Sequence, residues 1–342
     1  MFKACKSLIL LLSCALSMPL ALADELLRSD HPDHYTVVKG DTLWDISGRF
    51  LRSPWRWPEI WHVNPQIANP HLIYPGDQLD LVYIDGKPQL RVRRGPLKLS
   101  PRVRSTPWDG AIPTIPVDAI AQFLTYPYVV ETDELKRAPY IVDFADEHII
   151  GGAGQKAYVR KIEQSEPRQY EIVRPGAPYK DAETGEILGY EALYVGSTEL
   201  QRTGDPATVF INTTKLEAII GDRMIPASEH KLSANFTPHA PPMPIEGSII
   251  SVLNGVSQIG QYNMVVLDRG ANDGLEPGTV LRIDQRGETI RDIVSPDPRD
   301  KVTLPDEQAG LLMIFRTFDR VSFGLVMHAI RVIHVGDRVR NP

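Results

Sequence analysis

The chain has 342 residues, 42% of them hydrophobic and 23% charged, with a formal net charge of −6. This is ordinary globular composition and enough length for two or three domains, so a core can be buried and disorder is not the default. The acidic balance also excludes a general nucleic-acid binder, which needs a basic surface to meet phosphates.

The N-terminus carries Lys3 and Lys6, then an uncharged apolar stretch from Leu8 to Leu22, then Ala21-Leu22-Ala23 ahead of Asp24-Glu25. This order predicts a secretory signal peptide over residues 1–23, cleaved after Ala23. As a membrane span the stretch is short, about 15 residues against the roughly 20 a bilayer needs, and Pro19 interrupts it. Leu11-Leu12-Ser13-Cys14 is similar to a lipobox, which would instead tether the chain through a lipid on Cys14. Cys5 and Cys14 are the two cysteines, so cleavage leaves no disulfide, thiol nucleophile or cysteine zinc site. It also removes two lysines and no acid, moving the net charge from −6 to −8.

After a short polar lead, residues 24–33, the hydrophobic pattern becomes regular. Tyr35 and Val37 alternate as in a strand, and Gly40-Asp41 reads as a turn. Thr42 is an N-cap with Asp45 three residues on, and Leu43, Ile46 and Phe50 fall on one helix face. Pro58 suits the first turn of a second helix, 58–63, which Asn64-Pro65 ends. Pro75-Gly76-Asp77 turns the chain into a second strand, with Leu79, Leu81 and Tyr83 expected to point inward. Trp44, Trp55, Trp57 and Trp61 lie in this segment. Trp44 and Trp61 read as core for a module of about 50 residues that otherwise buries little area. Trp55 and Trp57, among Pro54, Arg56 and Pro58, read as sugar-stacking surface or as further core.

Residues 34–84, with Lys-Gly-Asp-Thr-Leu at 39–43 and Ile-Tyr-Pro-Gly-Asp at 73–77, resemble a LysM module. That is a small β-α-α-β domain that binds the N-acetylglucosamine-containing glycan of peptidoglycan and chitin. The resemblance implies a module over 34–86 whose two loops hold the sugar between them. Gly40, Asp41, Thr42 and Leu43 form the strand–helix loop, and Asn69, Pro70, Leu72 and Ile73 the helix–strand loop. Backbone groups would do much of the bonding, because the sugar offers an amide, hydroxyls and an apolar face. The alternative for each loop is a plain turn and cap. The resemblance further implies a periplasmic, envelope-bound protein like the LysM-containing proteins of Gram-negative bacteria.

Residues 87–118 are read as a basic, proline-rich linker, carrying Lys87, Arg91, Arg93, Arg94, Lys98, Arg102 and Arg104. Residues 87–104 would suit an anionic lipid or an acidic face of an envelope protein. Arg91-Val92-Arg93 would also suit an edge strand guarded by charge. A helical patch is expected at 117–124. Short β-like runs at 126–131, 157–162, 170–173, 191–195, 208–211 and 217–220 then predict an antiparallel β domain over 119–236. A proline-rich break, 237–246, leads to a second β domain over 247–342, with runs at 247–253, 262–267, 279–283, 311–318, 322–329 and 338–340. Both domains end on Gly-Asp-Arg, at 221–223 and 336–338, and Gly185–Tyr190 is matched with Glu307–Leu312 ahead of them. This predicts a tandem repeat. Asp222 and Asp337 read as turn residues rather than catalytic acids. The expected fold class is α+β and multidomain, a small β-α-α-β module followed by mostly antiparallel β domains.

No catalytic set is recognisable. The histidines, His31, His34, His62, His71, His148, His230, His239, His328 and His334, form neither His-x-His nor His-Glu-x-x-His. No metal or other cofactor is therefore expected. Ser228-Glu229-His230-Lys231 matches Ser-x-x-Lys but lacks its Ser-Asp-Asn and Lys-Thr-Gly companions. A muramidase needs a buried glutamate in a helical domain, which residues 119–342 do not offer. The expectation is a non-enzymatic protein that binds peptidoglycan glycan strands and no nucleic acid. The alternative is an assembly protein whose β domains bind another envelope component, with the module as anchor.

Overall fold

The structure is a computed structural model and describes residues 26–61, 73–93, 112, 114, 128–162, 168–227, 236–253, 258–297 and 299–342. The expected signal peptide, the patch at 117–124, Asn69, Pro70, Leu72, Arg94, Lys98, Arg102 and Arg104 lie outside the described residues. The chain is mostly β and divides into two compact units, 1–117 with 234–239, and 118–233 with 240–342.

In the first unit β1 (His34–Thr36) pairs antiparallel with β2 (Gln78–Ile84), and β2 with β3 (Lys87–Arg93). Between β1 and β2 run α1 (Leu43–Phe50) and α2 (Trp57–Trp61), the latter entered through a 3-10 turn at Pro54–Arg56. Thr42 caps α1 as the spacing predicts, accepting from the Asp45 N–H at 3.1 Å. Leu43, Ile46 and Phe50 are buried with Val37, Ile60, Ile73 and Leu79 in one core. Trp44 and Trp61 are buried as expected. Trp57, with 3% of its surface exposed, also belongs to the core, which removes it as a stacking surface; Trp55 is half-buried. Each such side chain stabilises a module this small by about 2 kcal/mol.

Three expectations need correction here. Residues 87–93 are not linker but the edge strand β3, whose Leu90 packs into the core. Pro88 is tolerated because an edge strand can spare an N–H, and Arg93 pairs with Asp80 at 2.7 Å. The polar lead is not free either. Leu26 and Leu27 are buried, and Leu27 bridges to Leu51. Tyr83 is 57% exposed rather than inward, because the β2–β3 hairpin carries it towards the turn at Asp85-Gly86.

The second unit contains two six-stranded rings. The first uses β5 (Tyr140–Phe144), β6 (Lys156–Arg160), β7 (Gln169–Lys180), β8 (Ile187–Arg202), β9 (Ala207–Thr214) and β10 (Arg223–Pro226). Its pairing order is β5-β6-β9-β8-β7-β10, with β10 returning to β5. Ahead of the ring, β4 (Tyr128–Val130) adds to β8, and α3 (Thr132–Arg137) leads into β5. The second ring uses β11 (Glu246–Val252), β12 (Met264–Leu267), β13 (Val280–Gln285), β16 (Glu307–Thr317), β17 (Ser322–Ala329) and β18 (Arg338–Arg340). It closes as a barrel in the order β11-β12-β17-β16-β13-β18, and a separate hairpin, β14 (Thr289–Arg291) with β15 (Lys301–Thr303), is inserted between β13 and β16.

Numbered from one to six within each ring, the strands pair identically. The first pairs with the second and sixth, the fifth with the second and fourth, and the third with the fourth and sixth. Details repeat as well. The isolated bridge Gly151–Ala218 corresponds to Ile259–Ile333. The bond from Gly221 N–H to Ile141 C=O (2.9 Å) corresponds to that from Gly336 N–H to Ile249 C=O (2.7 Å). The repeat seen in sequence is therefore a repeat of topology. Its register differs, however: Gly310, opposite Ile283, corresponds to Gly196, opposite Ile172, so the match of Glu307–Leu312 with Gly185–Tyr190 is out of register. At both sites a Cβ would meet a neighbouring carbonyl oxygen, that of Thr213 at 2.2 Å or His328 at 2.3 Å. The run at 217–220 is a turn rather than a strand, because Ala218 is committed to the bridge with Gly151.

The Gly-Asp corners are turns, as expected. Gly40, Gly76, Gly221 and Gly336 take φ of 97°, 97°, 93° and 100°, which glycine adopts without a Cβ penalty. The next aspartate returns its carboxylate to the N–H three residues back: Val38 (2.9 Å), Tyr74 (3.1 Å), Ile219 (2.9 Å) and His334 (2.8 Å). One local device thus shapes both loops of the first unit and closes both rings of the second.

Candidate functional site

The two loops of the first unit meet because Val37 bonds to both halves of the second turn. Its N–H donates to the Asp77 carbonyl at 2.9 Å, and its carbonyl accepts from the Gly76 N–H at 2.8 Å. Residues 38–43 and 73–77 are thereby held side by side.

Within the first loop the polar side chains are occupied by the fold. Asp41 Oδ2 accepts from the Tyr35 hydroxyl and from the Val38 N–H, each at 2.9 Å. Burial pushes the Tyr35 hydroxyl pKa up, the bond to Asp41 adds to this, and the Arg49 guanidinium lies 4.7 Å from the ring centre. Thr42 is 3% exposed; its Oγ1 accepts from the Asp45 N–H and donates to Asp45 Oδ2 at 2.7 Å. Leu43 and Ile73 are core side chains. Gly40 is exposed and supplies the turn. Among the described residues, Asp41, Thr42, Leu43 and Ile73 therefore hold the loops in place, and what these four can offer a ligand is chiefly backbone.

Two backbone groups matter most. The Trp44 N–H lies in the first turn of α1, where helix donors lack an intrahelical acceptor. The Ile73 carbonyl lies just ahead of the turn into β2. The Trp44 N–H donates to the Thr114 carbonyl at 3.2 Å, and the Ile73 carbonyl accepts from the Ile112 N–H at 2.8 Å. Ile112 and Thr114 are 4% and 1% exposed, and Ile112 joins the core of the module. Sequence reading placed both in the linker and missed them.

Trp55 stands beside a paired Arg56 and Glu59, whose guanidinium and carboxylate meet twice at 2.7 Å. Among the described residues no group of three His, Cys, Asp or Glu side chains could hold a metal ion. No described helix is long and apolar enough to cross a membrane.

Residues 35–81 match the LysM domain family. The chain is also 42% identical over 60 residues to "Uncharacterized protein YqbP" of Bacillus subtilis (strain 168). That match covers 15% of this chain and 27% of the relative, so the chain spans about a quarter of the relative's length. The first unit contains a LysM domain, in general a module for peptidoglycan or N-acetylglucosamine glycan, which suggests an envelope or extracellular setting.

Proposed function

We propose, from the premise that residues 35–81 are a LysM domain, that the chain is a non-enzymatic protein of the Gram-negative periplasm. It holds N-acetylglucosamine-containing glycan between the loops at 38–43 and 73–77. The observation that carries this reading is the pairing of those loops through Val37, which holds residues 38–43 beside residues 73–77. An N-acetyl group offers a matching carbonyl, N–H and methyl. The described polar side chains of the first loop, Asp41 and Thr42, serve the fold, so affinity for a single sugar is low and grows with the number of units bound.

Co-sedimentation with purified sacculi tests the reading. Both the mature chain and its 24–93 fragment are assayed, with N-acetylglucosamine oligomers as competitor. The reading fails if both stay in the supernatant. Clearing of peptidoglycan in a gel would refute the non-enzymatic part.

A second reading, in which the barrels bind another envelope protein and the LysM domain anchors the assembly, draws on the β14–β15 hairpin. Ile293 and Val294 there are each 87% exposed, with Ile290, Val302 and Leu304 also at the surface. Exposed apolar residues so grouped mark protein contacts. The replacements Ile293→Asp and Val294→Asp should abolish capture of that protein and leave sacculus binding alone.

A further inference from the structure

We propose that molecules of this chain join head to tail: the turn at 292–300 of one seats on the Tyr140–Lys161 face of the next. The contact that links the two barrels within one chain is thereby repeated between chains. The β14–β15 hairpin then has a second copy of the chain as its occupant, independently of any glycan.

The contact inside one chain supplies the pattern. The turn at 181–186, between the third and fourth strands of the first ring, reaches the second barrel just past β12. There the Ala182 N–H donates to Asp268 at 3.3 Å, and Asp181 Oδ2 accepts from Arg269 at 3.3 Å.

The second ring carries the same turn. Lys180 pairs with Ile187 as Arg291 pairs with Lys301. The Asp181 N–H donates to the Glu186 carbonyl at 2.9 Å, and the Asp292 N–H to the Asp300 carbonyl at 3.0 Å. Asp181 Oδ1 accepts from the N–H groups two and three residues on, at 3.0 and 2.7 Å, and Asp292 Oδ1 does the same at 2.9 and 3.1 Å. Each aspartate thus holds its own turn with one oxygen. Asp181 gives its other oxygen to Arg269, whereas Asp292 Oδ2 meets no donor among the described residues.

The first ring carries the same face. Ile141 opposite Val159 corresponds to Ile249 opposite Leu267, so Lys161 stands where Arg269 does, and Tyr140 where Ser248 does. Arg223 opposite Tyr140 corresponds to Arg338 opposite Ser248. Lys161 is exposed, donates to the Lys136 carbonyl at 3.2 Å and lies 5.6 Å from the centre of the Tyr140 ring. The Arg223 guanidinium lies 5.1 Å from the same ring. Among the described residues neither cation has a carboxylate partner, whereas the neighbouring Arg160 is paired with Asp205 at 2.8 Å. The turn at 292–300 brings Asp292, Asp297 and Asp300 against a single Arg299, so its charge is complementary to this face. Each molecule therefore holds one unused turn and one unused face of a pair it already uses once. Unlike patches are not exhausted by pairing two molecules, so the contact repeats from one molecule to the next.

Sedimentation velocity of the mature chain at rising concentration and low salt is the assay. The mass should grow past that of a dimer and fall back as salt is added, because exposed charge pairs are screened. Lys161→Glu should weaken association at least about tenfold by setting like charges together. Asp292→Asn keeps an Oδ1 for the Val294 and Ser295 N–H groups, removes the charge, and should weaken association to a similar degree. Mixed in equal amounts, the two variants supply one intact pair, the Asp292 turn of the first and the Lys161 face of the second. The mixture should therefore form a dimer and go no further. Circular dichroism and thermal melting verify folding, and Lys161→Gln takes the place of Lys161→Glu should that variant not fold. A wild-type chain that stays monomeric throughout overturns the proposal, as does association that both variants leave intact. A mixture that stays monomeric while the wild type associates, or that grows past the dimer, overturns it too. Both variants should co-sediment with sacculi as the wild type does, so failure of the glycan reading is registered separately.

Discussion

Replacing Asp41 and Thr42 together by alanine separates two roles for the first loop. If these side chains touched glycan, the variant would lose binding and keep its stability. The geometry says the opposite. Thr42 is 3% exposed and caps α1, and losing such a cap costs about 1 kcal/mol. Asp41 accepts from the Val38 N–H and the Tyr35 hydroxyl, both at 2.9 Å. Bonds to a charged acceptor are each worth up to about 2 kcal/mol, but Val38 is 53% exposed, so water replaces part of the loss. The double variant should therefore lose about 2 to 3 kcal/mol. At a urea dependence of about 1 kcal/mol per molar for a domain of this size, the midpoint falls by about 2 to 3 M. Tryptophan fluorescence is the assay, because Trp44, Trp55, Trp57, Trp61 and Trp108 are the five tryptophans of the chain and the barrels have none. Thr42→Ser, which keeps the cap, should stay near wild type. An unchanged midpoint together with lost sacculus binding would refute the reasoning and return these side chains to the ligand.

The remaining predictions concern the barrels. Asp222 is 1% exposed and accepts from the Ile219 N–H and from Arg174 at 2.8 and 3.0 Å, whereas Asp337, among the described residues, accepts from the backbone N–H groups of His334 at 2.8 Å and Arg286 at 3.0 Å. Asp222→Ala should cost about 3 kcal/mol, since it strands a partly buried arginine, and Asp337→Ala about 2 kcal/mol; calorimetric melting in the reverse order would sink this. The Asp181 carboxyl is held at about 2, chiefly by the Thr184 N–H, with the Glu183 N–H, the Thr184 hydroxyl and Arg269 assisting. A depressed pKa stabilises the fold while the group is ionised, so this contribution is present above about pH 4 and is lost as the pH falls towards 2. Exchange at the Thr184 amide should rise across that window and flatten in Asp181→Asn. Gly196→Ala and Gly310→Ala place a Cβ 2.2 and 2.3 Å from a carbonyl oxygen, and each should cost several kcal/mol by forcing neighbouring strands apart. A melting temperature within 2 °C of wild type, on the roughly 4 °C per kcal/mol scale of small domains, would disprove the equivalence in packing.

What was legible in the sequence was what local patterning encodes. Thr42 and Asp45, the i, i+3, i+7 spacing of Leu43, Ile46 and Phe50, and the Gly-Asp corners are all short-range, and the structure keeps them. What was not legible depends on partners far along the chain. Leu90 reads as linker until β2 is beside it, and Ile112 until Ile73 is. The run at 217–220 has strand composition, yet Ala218 pairs only at one bridge because Gly151 meets it there. The repeat was visible at Gly-Asp-Arg, where a turn constrains residue type, and misregistered at Gly185–Tyr190, because only the cross-strand pairing shows that Gly310 answers to Gly196.

The duplication also says where the two barrels diverge. Their shared parts are the strand pairings and the turns, and their difference is concentrated in the connection from the third to the fourth strand. In the first ring this is a tight turn at 181–186, which meets the second barrel: the Ala182 N–H reaches Asp268 at 3.3 Å, Asp181 meets Arg269 at 3.3 Å, and Glu186 meets Arg320 at 2.9 Å. In the second ring the same connection is the longer β14–β15 hairpin, whose exposed surface sets the apolar Ile290, Ile293, Val294, Val302 and Leu304 among charged residues such as Arg291, Arg299 and Lys301. The connection that one copy uses to contact its neighbour carries exposed apolar residues in the other. Burying such residues yields about 25 cal/mol for each Å² removed from water, so a partner at this hairpin would gain most from Ile293 and Val294.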